Sequence, residues 1–405
     1  MENLKIALVY DKVNTWGGAE RVLLAIHQIF PQAPLYTSVF DEKKAKWAKV
    51  FPQVIPSFLQ KFPWAKTKNH WYALLMPLAF EQFNFDDYDI VISVTSGEAK
   101  GIITKPKTLH LCYCLTPTRF LWVEPGYGEY QHFGIFNKLV HAFKPPFLSL
   151  LKKWDEVAAQ RPDAYAATCK TVGRRILKYY HRQAKIINPF VDTNFFQPGK
   201  KSFSKDSYFL AVGRLVPYKR FDIAIEACQK LGLPLKIVGQ GPNFELLKKK
   251  ANSCSKTGRS LVEFLGLVDD KKLLNLYQNC QALIMPQKED FGLVALEAQA
   301  CGKPVIAFGK GGAKETILEG KTGIFFDKQT PNSLAEALKK FKTYQFNPKL
   351  IRSHAQKFCL ENFKKKFREW VEGEYKKYLG LALALPTASS TAAKSTARKT
   401  TSRKT

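Results

Sequence analysis

Long apolar runs are absent from this sequence of 405 residues. A transmembrane helix needs about 20 consecutive apolar residues, and no run approaching that length occurs. The chain opens on an apolar strand pattern, Lys5–Asp11, without the basic segment and cleavable apolar segment that mark a secretory signal. We therefore expect a cytoplasmic protein, with peripheral attachment to the inner face of the cytoplasmic membrane as an open alternative.

Acidic residues are scarce. The chain has 34 Asp and Glu against 63 Lys and Arg, which gives a formal net charge of +29. This surplus says nothing about the fold, but it predicts an anionic partner: nucleic acid, anionic lipid or a phosphorylated substrate. A general basic bias of the source proteome would produce the same charge. Because the basic residues are spread over the whole chain and no nucleic-acid-binding module is visible, nucleic acid is not the expected partner.

Cysteine pairs at metal-binding spacing are also missing. The eight cysteines are scattered, apart from Cys112 and Cys114, which alternate onto one face of a predicted strand. No second Cys or His pair has zinc-like spacing. We therefore expect buried free thiols in a reducing compartment and no metal site.

Short, almost continuous apolar runs alternate with helix patterns, most regularly in the second half of the chain. Parallel strands covered by helices on both faces have this composition, so the pattern predicts an α/β fold with doubly wound parallel sheets. The predicted strands are Lys5–Asp11, Asp89–Thr95, Leu109–Cys114, Ala164–Thr168, Ala184–Ile187, Tyr208–Val212, Leu235–Val238, Val262–Leu265, Ala282–Met285 and Val305–Phe308. The predicted helices are Glu20–Phe30, Thr171–Tyr180, Phe221–Leu231, Asn243–Ala251, Lys271–Asn279, Leu293–Ala300 and Pro331–Lys340, followed by a helical stretch from Pro348 to Leu379.

A polar, irregular stretch after Asn188-Pro189 predicts a domain junction. We expect a first Rossmann-like domain at residues 1–195 and a second at 200–360. The final residues, 387–405, are rich in Ser, Thr, Ala and basic side chains and contain no acid, so they are predicted to form a disordered tail. Ligands of doubly wound sheets bind at the carboxyl ends of the strands, so the segments at those ends are the expected positions of a functional site.

Paired glycines, Gly17-Gly18, separate the first strand from the first helix. They would let backbone N–H groups approach an anion at a helix N-terminus. A plain tight turn explains the pair equally well. The segment is neither the glycine fingerprint of nicotinamide-binding proteins nor a Walker motif.

Three cations, Arg214, Lys219 and Arg220, follow a strand and precede a helix. Cations are unfavourable beside a helix N-terminus, and a bound anion would resolve that conflict. An Arg and a Lys can offset the two charges of a departing diphosphate. The alternative is a solvated loop with surface cations.

Two glutamates, Glu289 and Glu297, lie eight positions apart, the first after a strand and the second inside a helix. The residues between them, Phe291, Gly292 and Leu293, would offer the free N–H groups of that helix's first turn. Carboxylates can accept from sugar hydroxyls, and the N–H groups can bind phosphate or sugar oxygens.

In this order, the motifs resemble glycosyltransferase family 4 over residues 4–375. The resemblance implies the GT-B architecture: two facing Rossmann-like domains with a C-terminal helix, at residues 361–380, that crosses back to the first domain. It also implies retaining transfer of a sugar from a nucleotide donor, with neither a catalytic metal nor another cofactor. The segments that carry it are Gly17-Gly18-Ala19-Glu20, Gly213-Arg214 with Lys219, Glu289–Glu297, Lys303–Ala307, Gly309–Gly312 and Gly320–Gly323.

The resemblance also assigns roles. Arg214 and Lys219 would hold the donor diphosphate, Glu289 would contact the sugar and Glu297 the ribose. The expected catalytic residues are Arg214, Lys219 and Glu289. The expected donor-binding residues are Gly17, Gly18, Arg214, Lys219, Gly239, Val268, Glu289, Phe291, Gly292, Leu293 and Glu297, of which Gly239 and Val268 would cradle the base.

One position departs from the family pattern. Close members often have Tyr-Cys-His-Thr-Pro where this chain has Leu115 in place of the His. Leu115 cannot donate a hydrogen bond, so a sugar contact there is in doubt. His110, on the opposite face of the strand, is expected to be structural.

The segment Thr118–Trp122 resembles members that transfer mannose or rhamnose in surface polysaccharide assembly. The expected reaction is therefore transfer of mannose from GDP-mannose to a glycan or polyprenyl-linked acceptor of the cell envelope. Two alternatives stay open: a sugar-nucleotide epimerase of similar architecture, and a non-catalytic nucleic-acid-binding or membrane-binding protein.

A basic and aromatic segment, Lys43–Tyr72, contains seven lysines and seven aromatic residues but no acid, and Phe133–Trp154 has a similar composition. This mixture is typical of surfaces that contact membranes. We expect the first domain to contact anionic lipid and to collect a lipid-linked acceptor there. Core aromatics beneath a solvated basic face are the alternative.

Overall fold

The computed structural model describes residues 4–122, 137–199, 208–253 and 261–384. Within these ranges, thirteen strands form two sheets. The strands of the first are β1 Ile6–Tyr10, β2 Leu35–Thr37, β3 Val54–Pro56, β4 Ile90–Thr95, β5 Leu109–Cys114, β6 Ala164–Ala167 and β7 Ala184–Ile186. The strands of the second are β8 Phe209–Val212, β9 Leu235–Val238, β10 Val262–Gly266, β11 Ala282–Met285, β12 Val305–Phe308 and β13 Gly323–Phe326.

The helices cover the sheets on both faces. Those of the first half are α1 Gly18–His27, α2 Met76–Glu81, α3 Arg119–Trp122, α4 Asn137–Ala158 and α5 Lys170–Tyr180. Those of the second half are α6 Phe221–Lys230, α7 Phe244–Ser253, α8 Asp270–Asn279, α9 Leu293–Ala300, α10 Ala313–Thr316, α11 Pro331–Phe341, α12 Pro348–Gln356 and α13 Leu360–Ala384. Among the described helices, none combines the length and the apolar character that crossing a membrane requires.

Strand order identifies both sheets as doubly wound. The first runs β3-β2-β1-β4-β5-β6-β7 and the second β10-β9-β8-β11-β12-β13, with every described pairing parallel. In each sheet the chain reverses its direction of growth between the first strand and the fourth, which is where such sheets bind ligands. The predicted α/β fold with two Rossmann-like sheets is confirmed.

Three short strands were not predicted. β2 and β3 have three residues each and lie where the sequence shows a mixture of Lys, Pro and aromatics rather than an apolar run. β13 begins at Gly323, where a Cβ atom would lie 2.1 Å from the carbonyl oxygen of Val305. Close packing of β13 against β12 therefore requires a glycine here. In the sequence, Gly320–Gly323 resembles a turn, so the strand was not predicted.

The long C-terminal helix α13 returns to the first sheet. Its side chains Phe363, Phe367 and Trp370 are buried in the same core as Tyr113 of β5. The ring centroids of Tyr113 and Phe367 are 5.6 Å apart. The predicted crossover helix is thus present, and apolar burial holds it on the first domain.

One hydrophobic core includes residues from both halves of the chain. Cys169 and Val172, near the start of α5, are buried in one cluster with Phe291 and Ala313 of the second half. Six of the seven described cysteines are buried free thiols, and Cys359 is partly exposed. The predicted tail, residues 387–405, and residues 200–207 near the domain junction lie outside the described residues.

Candidate active site

The loops at the carboxyl ends of both sheets face each other across a cleft. Hydrogen bonds cross it from α1, from α3 and from the start of α5 to the loops that follow β10, β11 and β12. These bonds hold the strand-end regions of the two domains against each other.

Lys219 and Glu289 form a largely buried ion pair at the centre of the second domain's edge. Their side chains are 14% and 12% exposed, and the Nζ of Lys219 donates to Oε1 of Glu289. Gln287 Nε2 donates to the same carboxylate oxygen at 2.8 Å. Burial opposes both charges, but the Lys219 ammonium holds the pKa of Glu289 below its usual range and Glu289 raises the pKa of Lys219. Both groups are therefore charged at neutral pH.

The loop that carries Arg214 and Lys219 is fixed by contact with the loop after β9. Gly213 N–H donates to the Val238 carbonyl at 3.0 Å, and Leu215 N–H donates to the Gln240 carbonyl at 2.9 Å. A Cβ atom at Gly239, which has φ +135°, would lie 2.0 Å from the carbonyl oxygen of Gly213. Gly239 thus allows two backbones to touch, and its predicted contact with a base stays a prediction.

Arg220 has a partner within its own loop, which the sequence interpretation did not anticipate. Its guanidinium donates to the carboxylate of Asp222, in the first turn of α6, at 3.0–3.2 Å. The unfavourable cation at this helix N-terminus is thereby offset inside the loop, and Lys219 is paired with Glu289. The clustering of cations there does not by itself require a bound anion.

The start of α9 presents unpaired backbone donors. Gly292 precedes it with φ +90°, a left-handed conformation that favours glycine. The N–H groups of Phe291, Gly292 and Leu293 have no hydrogen-bond partner within the described ranges. The Leu293 side chain faces the first domain, since a Cβ at Gly18 would lie 2.9 Å from its Cδ1.

Glu297 is buried and tied to both domains. Tyr277 Oη donates to it at 2.8 Å, and Arg21 of α1 donates from Nη1 at 3.3 Å. Arg21 also pairs with Asp270 at 3.1 Å. Burial raises the pKa of Glu297, and the Arg21 charge opposes that rise. Glu297, the carboxylate expected to bind ribose, is therefore hydrogen-bonded to the Arg21 guanidinium in this structure.

Arg21 and Tyr277 were missed from sequence. Arg21 follows Gly17-Gly18 by three positions, and the adjacent Glu20 accepts from Tyr10 Oη at 2.7 Å and from Thr15 Oγ1 at 3.2 Å. These bonds brace the glycine turn within the first domain, and Gly18 of that turn lies next to Leu293 of α9. The spacing offered a signal for Arg21, because it lies three positions after Gly18 and residues at that spacing share one face of a helix.

Asp290, between the two predicted glutamate positions, was also missed. It pairs with Arg119 and with Arg175 of the first domain, each at 2.5 Å. Thr118, which directly precedes Arg119, donates from its Oγ1 to the buried carboxylate of Asp155 at 2.9 Å. This bond fixes the start of α3. Asp290 therefore joins the domains directly beside Glu289.

Three further positions that the sequence singled out, Leu115, His110 and Val268, pack inside the protein. Leu115 is partly buried against the first core, and its N–H donates to the Thr95 carbonyl at 2.7 Å. His110 is fully buried and lies 2.9 Å from Ser93 Oγ, and burial lowers its pKa to about 3. Its structural role is confirmed. Val268, in the loop after β10, packs against the core shared by the two domains.

A comparison with known protein families finds a match in the second domain. Residues 192–358 match the family model described as glycosyl transferases group 1. An uncharacterized glycosyltransferase of Methanocaldococcus jannaschii is 36% identical over 133 residues, which are 33% of this chain and 37% of that protein. A D-inositol 3-phosphate glycosyltransferase of Mycolicibacterium paratuberculosis is 32% identical over 181 residues, 41% of each chain. The chain thus spans less than half the length of these two relatives.

Solved structures match over almost the whole chain. Anabaena HepE, in complex with UDP and glucose, has a TM-score of 0.67 at 18% identity and covers 91% of this chain and 100% of its own. Sucrose-phosphate synthase from Thermosynechococcus elongatus has a TM-score of 0.68 at 16% identity, with 92% and 100% covered. At this level of identity the likeness concerns the fold, which is the GT-B architecture.

Proposed function

We propose that this protein is a retaining hexosyltransferase that moves a sugar from a nucleotide donor to a glycan or lipid-linked acceptor. The observation that carries the proposal is the Lys219–Glu289 pair, which lies close to the unpaired N–H groups at the start of α9. The family match over residues 192–358 includes all of these groups. GDP-mannose is the first donor to test. The first product to look for is a mannosylated intermediate of cell-envelope polysaccharide.

The arrangement suits charge stabilisation of a leaving diphosphate. As the bond between the sugar C1 and the diphosphate oxygen breaks, Lys219 and Arg214 offset the growing negative charge. The acceptor hydroxyl attacks C1 from the same face, and its proton passes to the departing diphosphate oxygen, so configuration is retained. Glu289 orients the sugar hydroxyls and keeps Lys219 in place. Metal independence stays a prediction.

A nucleotide screen tests the donor assignment without knowledge of the acceptor. We expect one of GDP, UDP, dTDP and ADP to raise the melting temperature in scanning fluorimetry. A ligand at 100 times its Kd stabilises by about 2.7 kcal/mol, which corresponds to several degrees. The matching nucleoside monophosphate is the control, because it lacks the second phosphate. If no diphosphate shifts the melting temperature at millimolar concentration, the donor site is not where we place it.

We further propose that a Trp-rich face of the first domain contacts anionic membranes. Trp64 and Trp71 are 64% and 45% exposed, with ring centroids 6.0 Å apart, and Lys68 Nζ lies 4.4 Å from the Trp71 ring centre. Phe51 of the same segment is buried and belongs to the core. Exposed Trp beside Lys is typical of the interface between membrane and water.

Vesicle co-sedimentation tests this second proposal. We expect the protein to bind vesicles of phosphatidylglycerol at low salt, and Trp64→Ala/Trp71→Ala to bind at least tenfold more weakly. Leu246→Ala is the matched control, since Leu246 is 63% exposed on α7 of the other domain. Equal binding by the double variant and the wild type would contradict the proposed face.

A further inference from the structure

A strongly basic cavity lies beside the candidate donor site. Its volume is about 660 Å³, and its walls are α5 of the first domain and the loops after β11 and β12 of the second. Helix α5 contributes Lys170, Arg174, Arg175 and Lys178. The second domain contributes Lys288, Lys310 and Lys314. Seven cations from two domains therefore surround one cavity.

Little negative charge offsets these cations. Among the described residues that line the cavity, Glu315 is the one carboxylate; it accepts from the N–H groups of Lys170 at 2.9 Å and Thr171 at 3.1 Å, so it caps the start of α5. Arg175 pairs with Asp290. In the part of the chain that the structure describes, no salt bridge reaches the other six cations. Their mutual repulsion favours an occupant that brings several negative charges.

The cavity shares a wall with the proposed sugar site. Lys288 directly precedes Glu289, and the carbonyl of Glu289 accepts from Gly312 N–H at 2.8 Å. Gly311 pairs with Glu289 in an isolated bridge, and a Cβ on Gly311 would lie 2.3 Å from the Glu289 carbonyl oxygen. An anion held by Lys288 and Lys310 would thus lie next to the Glu289 backbone segment.

We propose that this cavity binds the phosphate groups of a phosphorylated acceptor. The proposal rests on the transferase function above, because it takes the neighbouring donor site as given. Lys170, Arg174 and Lys178 on one face of α5, with three lysines across the cavity, suit a diphosphate or a phosphate ester with further anionic groups. Binding there would hold the acceptor hydroxyl near the sugar on Glu289. The phosphate belongs either to a soluble phosphorylated glycan or to a lipid-linked one.

Calorimetric titration of inorganic pyrophosphate tests the cavity, first on the protein alone and then with the donor site saturated by the nucleoside diphosphate from the screen. We expect Lys170→Ala/Lys314→Ala to raise the Kd for pyrophosphate at least tenfold and to leave nucleotide binding unchanged. The control, Lys365→Ala/Lys366→Ala, removes two exposed charges from α13 and should change the Kd less than twofold. Arg174→Gln repeats the test with one substitution.

Equal weakening by the cavity variant and the control would overturn the proposal, because binding would then reflect the general field of the protein. A second arm uses vesicles that contain phosphatidic acid. Cavity-dependent binding to them indicates a lipid-linked phosphate, and cavity-dependent binding of pyrophosphate alone indicates a soluble acceptor. If no nucleotide binds but pyrophosphate does so through Lys170 and Lys314, the donor assignment fails and the anion site stands.

Discussion

Replacing Lys219 by alanine is expected to weaken nucleoside diphosphate binding by ten- to a hundredfold and to lower donor turnover by about a thousandfold. The first effect corresponds to one lost charge-assisted hydrogen bond to phosphate, about 1.5–3 kcal/mol. The second is the size seen when a donor aimed at developing charge is removed. Calorimetric titration with the nucleoside diphosphate measures the loss of binding. An assay of donor hydrolysis measures the loss of turnover.

The design must separate this role from folding. Because Lys219 is buried with Glu289, its loss leaves an unpaired buried carboxylate, which costs about 3–5 kcal/mol. The double variant Lys219→Ala/Glu289→Gln removes the charge as well, so we expect it to recover part of the lost stability and none of the lost binding. Lys230→Ala, on the exposed side of α6, is the matched control. Wild-type binding and turnover by a folded Lys219→Ala would refute the assignment.

The sequence predicts those parts of the molecule whose signals are local. β5, β9, β11, β12 and α9 were predicted to the residue, because each is a compact apolar run with turn residues at both ends. The positions of Gly17, Lys219 and Glu289 in the cleft followed from the rule that loops at strand ends meet. β2 and β3 were missed because three residues in a Lys-rich and Pro-rich stretch carry no period.

Contacts between the domains could not be predicted in the same way. Asp290 pairs with Arg119 and Arg175, which precede it by 171 and 115 positions. Neither arginine differs in its local sequence from a surface arginine, so the pairing depends on how the two sheets face each other. Arg21 on Glu297, 276 positions away, is a similar case.

Helix spacing gave a weaker hint of the basic cavity. Lys170, Arg174 and Lys178 recur every four residues, which puts them on one face of α5. The sequence shows that face, but it does not show that Lys288, Lys310 and Lys314 lie opposite. A basic helix face is by itself the expected pattern of a solvent-exposed surface. The three lysines of the second domain, which lie across from it, turn this face into one wall of a cavity.

Gly239→Ala should destabilise the second domain by about 3–5 kcal/mol and abolish nucleotide binding with it. The new Cβ would lie 2.0 Å from the Gly213 carbonyl oxygen, and φ +135° is a conformation that alanine rarely adopts. Neither loop can yield easily, because Gly239 N–H donates to the Gly266 carbonyl at 2.8 Å and Gly213 N–H donates to Val238. A shifted Gly213 would displace Arg214 from the proposed diphosphate site.

Thermal unfolding and nucleotide titration check this together. The matched control is Gly373→Ala on α13, where a Cβ meets nothing within 4 Å; there the same substitution should stabilise by about 0.5–1 kcal/mol, since alanine is the better helix former. Because the two variants add the same methyl group, the difference between them isolates the backbone contact at Gly239. A Gly239→Ala protein that melts with the wild type and binds nucleotide normally would show that the loops after β8 and β9 adjust independently, and that Arg214 does not depend on their contact.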